Sequence, residues 1–454
     1  MLSDLPLSQR WGRHVVRTLA ALLAAMQATL LVVAGLAGAA VTAPAQARGD
    51  SALALYRYPN ECVQAARRRE AIAERTTLVD SLDLRTRNVV STTLRSVAAM
   101  CGGAHTLAVA DTDALPDLAL LAAFAGTAAR SDSALQIYLE RTAAAPEALE
   151  RAIATLLAMR PTPRRQDAWR LMARLDSLGD AAIPARLRAY LALAQDALTD
   201  FDEGRLTRAT RAGLALTTQL GEADDHNLAA EQALLYRLAS RAALFGAGGV
   251  TEALGVLERG AARVGKYSSE AHETIERGLA GMRVVGQTST PLQGGRWFPA
   301  GTDSTRPLRG RPTLLLFVEH TCLFSCYDGY YTFRRLAATY AARGIDLVIV
   351  TRSQRYFRRR PAPMDYATEA PLLAMQYLEE LALPAAMVVT ETVFKPMPDG
   401  RQFPELNPNE QAYGVLSSLD PTAVLIDGDG LIRLSDSLNH TTEALWRAML
   451  DLVN

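Results

Sequence analysis

The chain has 454 residues, with 48 acidic and 48 basic side chains and a formal net charge of zero. A neutral chain carries no electrostatic signature of a nucleic-acid binder or of attachment to an anionic membrane surface, and one of this length has room for two or three domains with cores of their own. Lysine occurs only at Lys266 and Lys395, and no arginine run coincides with a nucleic-acid motif; Arg358-Arg359-Arg360 reads as a solvated loop before Pro361 and Pro363.

Residues 1–47 read as a targeting segment. Arg10, Arg13 and Arg17 form a basic start, an almost uncharged apolar stretch runs from Leu19 to Ala43, and Ala45-Gln46-Ala47 supplies a small-x-small cleavage site. The apolar stretch is also long enough to cross a bilayer, so the alternatives are a cleaved signal peptide and an uncleaved N-terminal anchor. Either way the remainder is expected to be exported, periplasmic or otherwise extracytoplasmic, with membrane contact only through such an anchor.

Residues 48–285 read as an α-helical domain. From Asn60 to about Met282 the chain is rich in alanine, leucine and arginine, all good helix formers. Breaks fall at Gly102-Gly103, Pro146, Pro161-Thr162-Pro163, Gly179-Asp180, Gly221 and Gly246 to Gly249. The segments between them suit stacked helical hairpins. Cys62 lies near the start of one helical segment (Asn60 to Arg75) and Cys101 ends the next (Arg85 to Met100), so an antiparallel hairpin brings them side by side. Of the three pairings open to the four cysteines of an exported chain, the economical one joins Cys62 to Cys101 and Cys322 to Cys326. A Cys62–Cys101 bond would stabilise by about 4 kcal/mol in the chain-entropy account; the alternative is two buried free thiols.

A weak internal repeat runs through this half. Ala134 is followed four residues later by Tyr138, and Pro146 ends the unit; Ala168 begins a similar small-to-large pattern 34 residues on, and Ala253 a third. The unit near Ala209 is out of register. With these spacings the region resembles tetratricopeptide-like helical hairpins, without being a regular array. The resemblance implies apolar core positions and an open face for a protein partner. His105, His226 and His272 are isolated from one another along the chain and read as surface or capping residues.

After Gly286 short strands alternate with helices, the pattern of an α/β layer fold. Arg296 to Phe298 is a short strand, Thr313 to Val318 a buried one, and Tyr330 to Ala342 a helix. The strand Asp346 to Val350, the helix Pro371 to Leu381 and the strand Ala385 to Thr390 follow. Thr422 to Ile426 then enters the hairpin turn Asp427-Gly428-Asp429-Gly430, Leu431 to Leu434 returns, and Thr441 to Val453 closes as a helix. Gln354 to Ala370 and Val393 to Gln411 enlarge this pattern, the second, with four prolines, as an irregular loop.

The chemistry sits after the buried strand. Its apolar run delivers Cys322 into a turn before a helix, where free N–H groups and the positive end of a helix dipole favour thiolate, and Cys326 follows one turn on. The order of elements, Phe317 five residues before Cys322, Tyr413-Gly414-Val415, Asp420-Pro421-Thr422 and Leu425-Ile426-Asp427-x-Asp429-Gly430 together resemble the TlpA/ResA branch of the thioredoxin-like superfamily. The match covers residues 286–454. It implies a thioredoxin-like domain acting as a thiol–disulfide oxidoreductase on a protein disulfide or dithiol, without a cofactor. Cys322 attacks, and Pro421, cis by the resemblance, shapes the substrate groove. The family's resolving cysteine falls here on Ser325, with Cys326 one residue beyond; an i, i+4 disulfide is feasible if Cys322 lies just outside the helix. His320 would lower the Cys322 pKa and Glu319 would raise it. The C-x3-C spacing is also similar to Sco-type copper proteins, in which Cys322 and Cys326 would hold Cu(I), although Leu416 to Pro421, just before the Thr422 strand, contains no histidine. A scaffold whose redox site has decayed is the third reading.

Overall fold

The computed structural model describes residues 107–108, 110–159, 162–300, 310–319, 327–355, 364–380, 385–392, 394–396, 402–404, 407–416, 421–438 and 443–453. The targeting segment and the Cys62 and Cys101 helices lie outside them. No helix among the described residues is long and apolar enough to cross a membrane.

The first described part is helical. Its elements are α1 (Leu115–Phe124), α2 (Ala128–Arg141), α3 (Pro146–Ala158), α4 (Thr162–Asp176), α5 (Ile183–Thr199), α6 (Glu203–Thr217), α7 (Glu222–Asn227), α8 (Ala229–Phe245), α9 (Gly249–Val264) and α10 (Ser269–Val284). Prolines open α1, α3 and α5, where a missing N–H costs nothing. Asp202 and Ser268 cap α6 and α10 by accepting from the backbone N–H groups of Arg205 and Ala271. Consecutive helices pack in pairs, α1 on α2, α3 on α4, α5 on α6 and α8 on α9. The pairs start at Leu115, Pro146, Ile183 and Ala229, so their spacing drifts. Ala134, Ala168 and Ala253 are buried, as are Tyr138, Met172 and Leu257 four residues after each. The small-to-large pattern is therefore core packing, with partners one turn apart on one face.

The second part is built on a mixed sheet. Its strands are β1 (Arg296–Phe298), β2 (Thr313–Phe317), β3 (Asp346–Arg352), β4 (Ala386–Thr390), β7 (Thr422–Ile426) and β8 (Ile432–Ser437), in the order β1-β4-β3-β2-β7-β8. A separate hairpin of β5 (Phe394–Pro396) and β6 (Gln402–Pro404) lies between β4 and β7 in sequence. β2 and β4 both run parallel to β3, whereas β7 is antiparallel to β2 and to β8, and β1 to β4. The helices are α11 (Tyr327–Tyr340), α12 (Tyr366–Ala374), α13 (Pro408–Ala412) and α14 (Glu443–Val453). Parallel strands need a crossover, and α11 supplies it between β2 and β3.

All of β2 is buried, which explains its unbroken apolar run: both faces of the sheet are covered. On one face Leu314, Leu316 and Ile349 pack with Phe333 and Leu336 of α11, Leu373 of α12, and Trp446 and Leu450 of α14. On the other Leu315, Phe317, Val348, Val350 and Val424 pack with Tyr413 and Val415.

Two segments differ from expectation. A helix was expected to begin at Pro371, but it starts at Tyr366, capped by Asp365, and runs through Pro371 before continuing as a π turn. Proline leaves the carbonyl four residues earlier without its helical donor; that carbonyl, of Ala367, accepts from Arg296 Nη1 at 3.4 Å. The proline-rich stretch from Val393 to Gln411 is not wholly irregular. It holds the β5–β6 hairpin and α13, where Pro408 takes the first helical position and Asn407 and Glu410 form a capping box.

The helical part is joined closely to β8. A Cβ on Gly281 of α10 would come within 2.4 Å of the Ser435 carbonyl oxygen, and one on Gly414 (φ +70°) within 2.3 Å of the Ala280 carbonyl oxygen. Only glycine fits either contact. Beside them Asp436 of β8 receives Arg237 Nη2 at 2.5 Å and Arg241 Nε at 2.7 Å. The two arginines lie one turn apart on α8 and so share a face.

Candidate functional site

The C-terminal end of β2 is where the sequence places the chemistry. Phe317 pairs in register with Val350 of β3 and with Thr422 of β7. One step further out, Val318 and Pro421 are therefore the next residues on adjoining strands. Val318 donates its N–H to Val350 O at 3.0 Å, and its carbonyl accepts from Thr351 Oγ1 at 2.8 Å. Pro421 is buried, and its carbonyl accepts from Leu438 N at 2.8 Å. The sheet thus brings Pro421 and the chain leading to Cys322 to one end. Cys322, Cys326 and His320 lie outside the described residues, as do Cys62 and Cys101; so does Asp420, on which the isomer of the Pro421 peptide bond depends.

Phe317 and Tyr413, the two aromatic residues of the signature, touch. Their ring centroids are 5.6 Å apart, and the Tyr413 hydroxyl donates to the Thr290 carbonyl. Burial pushes the Tyr413 hydroxyl pKa upward. Asp427 organises the turn between β7 and β8: its Oδ1 accepts from Asp429 N at 3.0 Å and Leu431 N at 2.9 Å, and its Oδ2 meets Arg433 Nε at 2.5 Å. These signature residues act as fold elements.

Glu319 was expected to flank the thiol as a raising charge. It is buried, and its Oε2 lies 3.0 Å from Nη2 of Arg352, the last residue of β3. The other terminal nitrogen of Arg352 is 3.6 Å from Glu410 Oε2. Glu410 in turn accepts from Asn407 N at 3.1 Å, and Asn407 Nδ2 donates to Thr390 Oγ1 at 2.6 Å. A guanidinium between two carboxylates therefore sits at the strand ends, where its positive charge offsets the negative charge assigned to Glu319 alone. Nearby, the fully buried Glu369 accepts from Gln354 N at 3.0 Å, Arg355 N at 2.8 Å and the Ser353 hydroxyl, holding the turn that leaves β3.

Arg352, Glu410 and Glu369 were not foreseen from sequence. A signal for Arg352 was present: aligning the apolar runs Leu314–Val318 and Leu347–Thr351 as parallel neighbours sets Glu319 beside Arg352. Glu410 could have been found through the Asn407-Pro408-Asn409-Glu410 capping pattern.

The helical part borders the same end of the sheet. A narrow cleft there is lined by Arg237, Arg277, Gly281, Gly414, Leu416 and Thr422, the residue after Pro421. Leu416 is exposed. Among the described residues no group of three or more histidine, cysteine or acidic side chains could hold a metal ion.

No protein-family model matches the chain, and no curated protein matches it. Among solved structures it is similar to a thiol:disulfide interchange protein DsbE from Chlorobium tepidum, at 20% identity over 32% of this chain and 82% of that one, with a TM-score of 0.21. It is also similar to the thioredoxin-like superfamily protein SPOA0173, at 19% identity over 37% of this chain and 95% of that one, with a TM-score of 0.25.

Proposed function

We propose that the chain is an exported thiol–disulfide oxidoreductase whose thioredoxin-like domain, residues 286–454, follows a helical partner-binding domain. The observation that carries the reading is the register of β2 between β3 and β7. It sets Pro421 beside the strand that leads, within five residues of Phe317, to Cys322. A parallel strand feeding a helix, next to an antiparallel strand opened by proline, would set a thiol beside backbone whose missing N–H leaves room for an extended substrate chain.

In the reducing direction the Cys322 thiolate attacks one sulfur of a substrate disulfide. The substrate S–S bond breaks, a mixed disulfide forms, and one substrate thiolate leaves and takes a proton. The Cys326 thiolate then attacks Cys322 Sγ and releases the second substrate thiolate. Two electrons and two protons have passed to the substrate, and Cys322 and Cys326 end as a disulfide. The reverse sequence oxidises a dithiol by the same bonds. The helical pairs, tetratricopeptide-like in this reading, would hold the partner beside the Pro421 end.

The test is disulfide exchange by the purified chain with a protein disulfide substrate. Cys322→Ser is expected to abolish exchange, and Cys326→Ser to trap a mixed disulfide visible on a non-reducing gel. Full exchange by a folded Cys322→Ser protein would sink the reading.

A further inference from the structure

A second cleft, of about 620 Å³, lies where the helical part meets the turn between β7 and β8. It is at the Asp427 end of β7, about 20 Å along the strand from Pro421. Leu244 and Phe245 from α8, Val250 from α9, Ile432 from β8, and Met449 and Leu452 from α14 supply its walls. Apolar cavities of about 300–1,000 Å³ at the junction of two parts of a fold are where small ligands bind. Leu452 is 75% exposed, the most exposed large apolar side chain among the described residues, and it stands at this cleft.

The polar groups set the sign of what fits. Arg433 is the one cation among the described lining residues, and Asp427 already holds its Nε at 2.5 Å. The exposed Asp429 carboxylate has no hydrogen-bond or ion-pair partner. Helices α8 and α14 both end here, at Phe245 and Val453, and neither has a basic residue in its last turn. The negative ends of both dipoles therefore border the cleft without a counter-charge of their own. The end of α10 has its own Arg283 and the start of α9 its own Glu252, so each of those is balanced locally.

We propose that this cleft binds an amphiphilic amine, a molecule with an apolar body and a protonated ammonium head. The body lies on the Leu244, Met449 and Leu452 side chains. The head sits by Asp429 and the ends of α8 and α14, and Phe245 supplies aromatic surface of the kind that an ammonium group favours. A ligand there touches α8, α9 and α14 at once and so holds the helical part to the sheet. The proposal is independent of the thiol chemistry.

The experiment is isothermal titration calorimetry of the full chain with octylammonium, octanoate and octanol, which share a tail and differ in charge. Octylammonium is expected to bind once per chain, about tenfold more tightly than octanoate. Asp429→Asn, at an exposed turn position, is expected to weaken octylammonium by about threefold and to leave octanol unchanged. Leu452→Ser is expected to weaken octylammonium and octanol alike, by about threefold or more. Octanoate binding as tightly as octylammonium, or Asp429→Asn binding octylammonium within about 1.5-fold of wild type, overturns the proposal. Binding at many sites per chain that neither variant changes means that the amine only coats apolar surface, and overturns it too. So does a dimer in analytical ultracentrifugation that Leu452→Ser dissolves while no amine binds, since the cleft then belongs to a second copy of the chain.

Discussion

Asp436→Asn tests whether the helical part and the sheet stand as one body. In the wild type the carboxylate lies between the Arg237 and Arg241 side chains, which are 5% and 2% exposed. Burial alone would raise the Asp436 pKa, but the two guanidiniums outweigh it and lower it from 3.8 to about 2. At about 1.4 kcal/mol per pH unit, that depression corresponds to about 2 kcal/mol favouring the ionised carboxyl in the folded protein. The amide variant also leaves two buried cations without their counter-charge, for which the usual cost is about 3–5 kcal/mol. Urea unfolding followed by far-UV circular dichroism should show the midpoint falling by about 1 M or more, taking a slope of up to about 3 kcal/mol per molar. The pH dependence has a definite sign. A depressed carboxyl contributes fully above its unfolded value and loses that contribution as pH falls through its folded value. Wild type should therefore lose about 2 kcal/mol between about pH 4 and pH 2 through this group, and Asp436→Asn should lack that component. The apolar triple variant Arg237→Met/Arg241→Leu/Asp436→Leu should recover most of the loss, because well-packed apolar replacements of buried ion clusters are often neutral or better. A midpoint shift below about 0.2 M for the single variant, or a triple variant no better than the single one, would refute the reasoning.

Other outcomes follow from the same contacts. Gly281→Ala should cost about 1–3 kcal/mol, since its Cβ meets the Ser435 backbone at 2.4 Å and only separation of α10 from β8 relieves the clash; hydrogen exchange should quicken at β8, and unchanged exchange there would count against the contact. Tyr413→Phe leaves the Thr290 carbonyl without that donor and should cost about 1–2 kcal/mol in urea unfolding, whereas no loss would mean that the hydroxyl is dispensable. Mass mapping of the unreduced protein should recover a Cys62–Cys101 cross-linked peptide, and alkylation of both thiols without prior reduction would dismiss that pairing.

The strands of the sheet were legible because their composition is extreme. Leu314, Leu315 and Leu316 in β2, and Val348, Ile349 and Val350 in β3, form unbroken apolar runs that only a doubly covered strand requires. Helix boundaries were less legible where side chains overrode propensity. Pro371 reads as a helix start in isolation, yet Asp365 caps the chain six residues earlier and Arg296 serves the carbonyl that the proline leaves bare. At the candidate site, the apolar entry strand and Pro421 could be read locally. The meaning of Glu319 could not, because it depends on Arg352, 33 residues away, and on Glu410, 91 residues away. A charge looks exposed in sequence until its partner across the sheet is known.

The contacts around β8 bear on what the helical part does. An edge strand offers unpaired backbone to any passing chain unless something covers it. Here α10 lies against β8, with glycine at both close approaches and a buried ion cluster alongside. A swinging module needs none of these features; each loses its value if the two parts separate. The covered edge is also the one next to β7, so the Arg237 and Arg277 face of the helical part borders the start of β7 at Thr422. If the oxidoreductase reading holds, a partner bound on the helices meets the Pro421 end at a fixed distance instead of on a tether. Selection among substrates would then depend on shape at that junction as well as on thiol chemistry.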